Sequence, residues 1–201
     1  MHANTDAGMP EPIALAARVM ATLPTNWALC GGWGVDAWLG SQTRDHLDVD
    51  LSVLHDAQLA VHQHFADDWP LNGHDEADEE TTAPWNGRTL AHPGHIHAHG
   101  PNGLHLDIQL DRRRADCLVF SRQPEILLPL DWCILDSPWQ VPTLIPEALL
   151  FFKGVGSIRA RDTVDMQALG PTLTKPARVW LVDALRAVRP DHEWIPLLDR
   201  G

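Results

Sequence analysis

Between His46 and Leu54 the chain alternates strictly, with Leu47, Val49, Leu51 and Val53 set against Asp48, Asp50 and Ser52. A period of two marks a strand with one buried face, so the polar set, two carboxylates included, lines the other face. Nothing else in the 201 residues constrains the fold as tightly. A short apolar run, Trp27 to Cys30, precedes it and ends in Gly31-Gly32. Trp33 to Leu39 then reads as a helix stopped by Gly40 as a left-handed cap. Strand, glycine turn and helix therefore lead into a strand that carries carboxylates.

The flanking segments fit the same plan. Ile13, Ala16, Ala17, Met20 and Leu23 recur at helical spacing from Glu11 to Leu23, between prolines that suit a helix start and end. Asp56 is placed to cap a helix running through Phe65. From Asn72 to Asn86 the chain is polar and acidic with little to bury, and a mobile excursion is expected there. Leu104 to Leu110 alternates again, with Asp107 on its polar face. Asn102-Gly103 ahead of it signals a hairpin whose partner strand lies within Thr89 to His99. Beyond a stretch rich in proline and tryptophan, Pro124 to Pro142, helices are expected over Pro146 to Lys153, Arg161 to Leu169 and Lys175 to Val188. The fold class read from this order is α+β. A small mixed sheet flanked by helices would occupy residues 1–140, and a C-terminal helical region residues 141–201.

Composition narrows the function. Apolar residues make up 44% and charged residues 21%, ordinary globular usage. No apolar run approaches membrane-spanning length, and residues 1–10 lack the basic and apolar blocks of a signal peptide, so a cytoplasmic protein is expected. The net charge is −12, and the lysines are Lys153 and Lys175, so no polybasic patch exists to neutralise a phosphate backbone. Extended nucleic acid and anionic membranes are thereby disfavoured as partners, whereas a cationic small molecule is attracted. Cys30, Cys117 and Cys133 each sit among apolar residues and read as free thiols, without a CxxC metal or redox pair.

The residues that bear chemistry are Gly31-Gly32, then Asp48 and Asp50, then Asp107. Asp48 and Asp50 share a strand face about 7 Å apart at the backbone, close enough to bridge divalent cations, and Asp107 adds a third carboxylate from another strand. Two-metal phosphoryl transfer needs such a set. Glycines at the end of the preceding strand let backbone N–H groups and a helix N-terminus approach a phosphate.

The stretches Ala28 to Asp36 (ALCGGWGVD) and Thr43 to Asp50 (TRDHLDVD) resemble the signature of the aminoglycoside and lincosamide nucleotidyltransferases, within the polymerase-β-like superfamily. Leu106 to Gln109 is similar to that superfamily's third carboxylate strand. Val141 to Glu147, Phe152-Lys153 and Arg161-Asp162 with Asp165 resemble its C-terminal helices. A serine often follows the first glycine in the superfamily; here Gly32 and Trp33 follow, a form that suits the antibiotic-modifying branch.

The resemblance implies that Asp48 and Asp50 bind magnesium, as two ions, and that Asp107 completes the metal site and helps to deprotonate the acceptor. It also implies that Gly31 and Gly32 cradle phosphates and that Lys153 meets the triphosphate of ATP or another NTP. Arg44 is placed to pair a phosphate or to brace Asp48. His105, on the Asp107 face, is a candidate to touch substrate. So is Asp36, whose alternative is a structural role. The activity implied is transfer of a nucleoside monophosphate, AMP from ATP, to a hydroxyl of a small molecule with release of pyrophosphate, and an aminoglycoside-like acceptor fits the acidic chain. The alternatives are a toxin-like enzyme acting on RNA or protein, and a non-catalytic nucleotide-binding or antitoxin-like partner protein. A basic tract would favour the first and loss of a carboxylate the second; the sequence has neither feature.

His95, His97 and His99 alternate on the partner strand. With Asn102-Gly103 as a two-residue turn, His99 pairs with Leu106 and His97 with Ile108. The trio then faces away from Asp107, which disfavours a dedicated zinc site; a loop of odd length reverses the facing.

Overall fold

A computed structural model describes residues 8–65, 68–75 and 84–199. In chain order its elements are α1 (Glu11–Met20), β1 (Trp27–Leu29), α2 (Gly31–Leu39), β2 (Val49–Leu54), α3 (Gln58–Phe65), β3 (Leu71–Asp75), β4 (Gly94–His99) and β5 (His105–Arg114). They continue with β6 (Cys117–Val119), β7 (Leu127–Pro129), α4 (Leu130–Cys133), β8 (Ile134–Asp136), β9 (Pro142–Leu144), α5 (Pro146–Gly154), α6 (Ala160–Leu169), α7 (Lys175–Val188) and α8 (Ile195–Leu198). The main sheet runs β3-β4-β5-β2-β1-β9-β8, and β6 joins β5 to β7. The sheet is mixed, because β2 with β5 and β1 with β9 are parallel while the other pairs are antiparallel. This is the α+β arrangement expected from the sequence. The strand β9, beyond residue 140, belongs to the sheet through its pairing with β1.

Two apolar cores flank this framework. One lies under the sheet, where Val49, Leu51, Val53, Ile96, Leu106 and Ile108 meet Ile13 and Met20 of α1 and Val61 and Phe65 of α3. The other is built by the C-terminal helices, around Leu150, Phe151, Leu181, Leu185 and Trp194. The short helix α2 touches both, sending Trp33 and Ala37 into the first core and Val35 into the second. A helix apolar but for one buried, hydrogen-bonded carboxylate, Asp36, must itself be buried, and α2 is the wedge that fixes the two halves against each other. A side chain at Gly34 would lie 3.0 Å from Leu149, so the small residue is what lets α2 and α5 approach.

Three expectations are corrected. The carboxylate strand begins at Val49 rather than His46, and Leu47 is 94% exposed instead of core-facing. Asp56 makes no capping hydrogen bond among the described residues: it lies in a 3-10 turn, 55–57, and pairs with Arg113 at 2.9 Å. The segment expected as an excursion opens with β3, an edge strand paired with β4. Leu71, Gly73 and Asp75 point inward there, and the Asp75 carboxylate accepts from Arg88 at 3.0 Å and from the Ala91 N–H at 2.7 Å. Residues 76–83 of that segment lie outside the described residues.

Candidate active site

The parallel register of β2 and β5 sets Asp50 directly beside Asp107 and Ser52 beside Gln109. Their shared face turns away from the α1 and α3 core, so it is polar while the opposite face is apolar. Asp48 stands exposed one step before the strand. The end of β1 is tied to the same point, since the Cys30 N–H donates to the Asp50 carbonyl at 2.9 Å. Gly31 opens α2 with φ at +60°, and a Cβ there would fall 1.8 Å from Asp50 Oδ2. At Gly32 a Cβ would meet Arg44 at 2.4 Å and His46 at 2.5 Å. The paired glycines are therefore demanded by the side chains that crowd the turn, and in this state the Gly32 N–H faces the Asp50 carboxylate.

Electrostatics follow from this crowding. Burial, then repulsion from Asp50 and Asp48, pushes the Asp107 carboxyl up to about 7. Burial and Asp48 raise Asp50 as well, opposed by Lys153 and the Gly32 N–H. Asp111, further along β5, is pushed up to about 6 by burial while it accepts from the Ser52 hydroxyl at 2.6 Å. Asp107 Oδ1 is buried without a hydrogen-bond partner among the described residues. Its neighbour on β4, His97, stays 3.7 Å away through Nε2. Three mutually repelling carboxylates with an orphaned oxygen fit divalent cations of the magnesium type.

Beside this acidic face opens a cavity of about 1100 Å³. From the helical side it is lined by Arg122, Lys153, Arg159 and Arg161, and from the loop before β2 by Arg44. Most of these cations are anchored. Lys153 lies 2.8 Å from the buried Asp165, which also takes two hydrogen bonds from Arg44, at 3.3 and 3.2 Å. Arg159 grips Asp162 through Nε at 2.8 Å. Burial works against the Asp162 charge, but the bonds from Arg159 outweigh it and hold the carboxyl below its usual range. Arg161 makes no ion pair among the described residues. A smaller cavity of about 320 Å³, lined by Glu11, Leu15, Trp33 and His105, adjoins the first at His46, Leu47 and Asp48.

The sequence-predicted residues thus fall as follows. Asp48, Asp50, Asp107, Gly31, Gly32, Arg44 and Lys153 all line the larger cavity, and His105 lines the smaller one. Asp36 does not: it is fully buried, and its carboxylate is engaged by the Thr43 hydroxyl and by His46 Nε2 at 2.7 Å. It holds the loop that carries Arg44, which corrects its candidacy for substrate contact. Arg44 is held by Asp165 and does not brace Asp48. The histidine facing is also reversed. Residues 100–104 make a five-residue connection through a 3-10 turn, so His97 pairs with Asp107 and His99 with His105. Sequence reasoning missed Asp111, whose place on the Asp107 face was readable from the period of two. It also missed Arg122 and Arg159, which only tertiary packing brings in.

Residues 13–83 match the family described as aminoglycoside-2''-adenylyltransferase. No curated protein matches the chain. Among solved structures, the lincosamide antibiotic adenylyltransferase LnuA, bound to lincomycin, superposes with a TM-score of 0.58 at 20% identity, over 81% of this chain and 96% of that one. ANT(2'')-Ia in complex with adenylyl-2''-tobramycin gives 0.56 at 13% identity, over 88% and 97%. The chain has the fold of the antibiotic nucleotidyltransferases. The family match covers the glycine turn and the Asp48 and Asp50 strand, and with the fold it supports a nucleotidyltransferase enzyme.

Proposed function

We propose that this nucleotidyltransferase moves AMP from ATP onto a hydroxyl of a small, cationic, antibiotic-type molecule and releases pyrophosphate. The observation that carries the reading is the pairing of Asp50 with Asp107 across parallel strands, at the floor of a cleft whose other side is basic. Asp48, Asp50 and Asp107 would hold magnesium. Magnesium, when bound, supplies Lewis-acid activation of the acceptor hydroxyl and neutralises charge on the phosphates. Lys153, fixed by Asp165, and Arg161 bind the triphosphate as positioned charges. Asp107, set beside Asp50 by the strand register, takes the acceptor proton as general base. The smaller cavity adjoins Asp48 and offers Trp33, Glu11 and His105 to an amphipathic or cationic acceptor. The relatives LnuA and ANT(2'')-Ia, with lincomycin and adenylyl-tobramycin bound, agree with an acceptor of this class.

The test is incubation with Mg²⁺, ATP and a panel of aminoglycosides and lincosamides, reading product mass and pyrophosphate. A product heavier by one adenylyl group, lost in Asp48→Asn and Asp50→Asn, is expected. No product with any acceptor, or full activity in both variants, overturns the proposal.

A further inference from the structure

The pairing of β3 with β4 gathers histidines. His74 on β3 pairs directly with His95 on β4, and His97 lies two residues on, on the same face. The three ring centroids are 4.9, 4.9 and 4.8 Å apart, nearly equal separations, as for rings set around one point. One nitrogen from each lies within 4.8 Å of the others, and all three rings are half-buried. Imidazoles on a tetrahedral ion bind at about 2.0–2.1 Å, which places their nitrogens about 3.3 Å apart. Rotation of half-buried rings about their side-chain bonds covers the remaining distance of about 1.5 Å. The strands that carry them are rigid, because their opposite faces bury Ile96 and Ala98 in the core.

We propose that His74, His95 and His97 bind one divalent transition-metal ion of the zinc, cobalt or nickel class, at a site separate from the carboxylates of the cleft. Neutral imidazoles suit these borderline ions, whereas magnesium prefers oxygen donors, so the two sites select different metals. Three protein ligands leave a fourth position open to water or to another donor. The site adjoins the cleft, with His97 Nε2 3.7 Å from Asp107 Oδ1, but His74, His95 and His97 do not line the cavity. A cation there places positive charge one side chain from the carboxylate centre. The proposal does not rest on nucleotidyl transfer.

The experiment titrates the whole protein with Co²⁺ in millimolar Mg²⁺ and follows visible d–d absorption, then displaces the cobalt with Zn²⁺. One equivalent is expected, unaltered in Asp48→Asn/Asp50→Asn. His95→Gln and His74→Asn should each weaken binding by more than the roughly 10–100-fold that loss of an outer-shell partner costs. Absence of a saturable signal, survival of binding in both histidine variants, or loss in the carboxylate variant overturns the site. Should the histidine variants fail to fold, X-ray absorption on the cobalt-loaded parent decides: imidazole scattering supports the trio, and an all-oxygen shell refutes it.

Discussion

Replacing Asp107 by Asn removes a charge from the most crowded point of the cleft and keeps the side chain's shape. The Asp107 carboxyl is pushed from 3.8 up to about 7, by burial first and then by Asp50 and Asp48. A carboxyl raised in the folded state favours folding fully below its unfolded value near 4, and that contribution is lost as pH rises through 7. At 1.36 kcal/mol per unit, the rise of roughly three units sets a ceiling of about 4 kcal/mol on the stability lost by pH 8. The side chain is 19% exposed and shares its repulsion with two neighbours, so about 2–3 kcal/mol is the working figure. In metal-free buffer the variant should therefore match the parent at pH 4 and exceed it by that amount at pH 8. Urea unfolding of both proteins across pH 4 to 8 measures the difference directly. Added Mg²⁺ with ATP should reverse the order at pH 8, because a ligand that binds the parent's folded state more tightly stabilises the parent more. Equal stability at pH 8 without metal would show that Asp107 carries no buried charge penalty, and the electrostatic account of the cleft would fail with it.

Other perturbations follow the same physics. Asp165→Asn leaves Lys153 and Arg44 without their buried partner, and a loss near the low end of about 3–5 kcal/mol is expected in thermal or urea unfolding. An unchanged midpoint would count against the clamp. In Gly31→Ala the methyl lands on the Asp50 carboxylate, and a misplacement of about 1 Å there should cost on the order of 10²-fold in turnover with the fold retained by circular dichroism; normal kinetics would refute it. Arg161→Gln removes a cleft cation that has no ion pair among the described residues, so KM for ATP should rise while stability stays within about 0.5 kcal/mol. A structural role would instead appear as a lower melting temperature with KM unchanged.

Strong local periodicity made parts of this molecule legible in the sequence. The helix at 175–188 carries an apolar stripe long enough to fix its limits, and the alternation at 49–54 and 105–110 placed Asp50 and Asp107 on polar faces. The register of β4 was not legible, because Pro101 opens a 3-10 turn and lengthens the connection to five residues, and one residue of slip exchanges the faces of a strand. Nor was β3 legible. Asn72, Gly73 and His74 have little strand propensity, and what holds them is distant: Gly73 leaves room for Trp85, and Asp75 binds Arg88. The clamp on Arg44 joins residues 121 positions apart, a relation that no window on the sequence contains.

The division of labour in the cleft follows from how each wall is made. Carboxylates that share a cation need fixed spacing, and adjacent parallel strands supply it, since β2 and β5 place Asp50 against Asp107 through a ladder backed by packed Leu51, Leu106 and Ile108. Cations that meet a triphosphate need reach and tolerance, and they come from helix ends and loops: Lys153 near the end of α5, Arg159 and Arg161 at the start of α6, and Arg44 before β2. An unbound cleft of this kind risks collapse of the basic side onto the acidic one. The buried Asp162 and Asp165 oppose that collapse by holding Arg159, Lys153 and Arg44 on the helical side. Their hydrogen bonds leave the sheet carboxylates short of partners, as the orphaned Asp107 oxygen shows, and that shortage is what a bound metal would relieve.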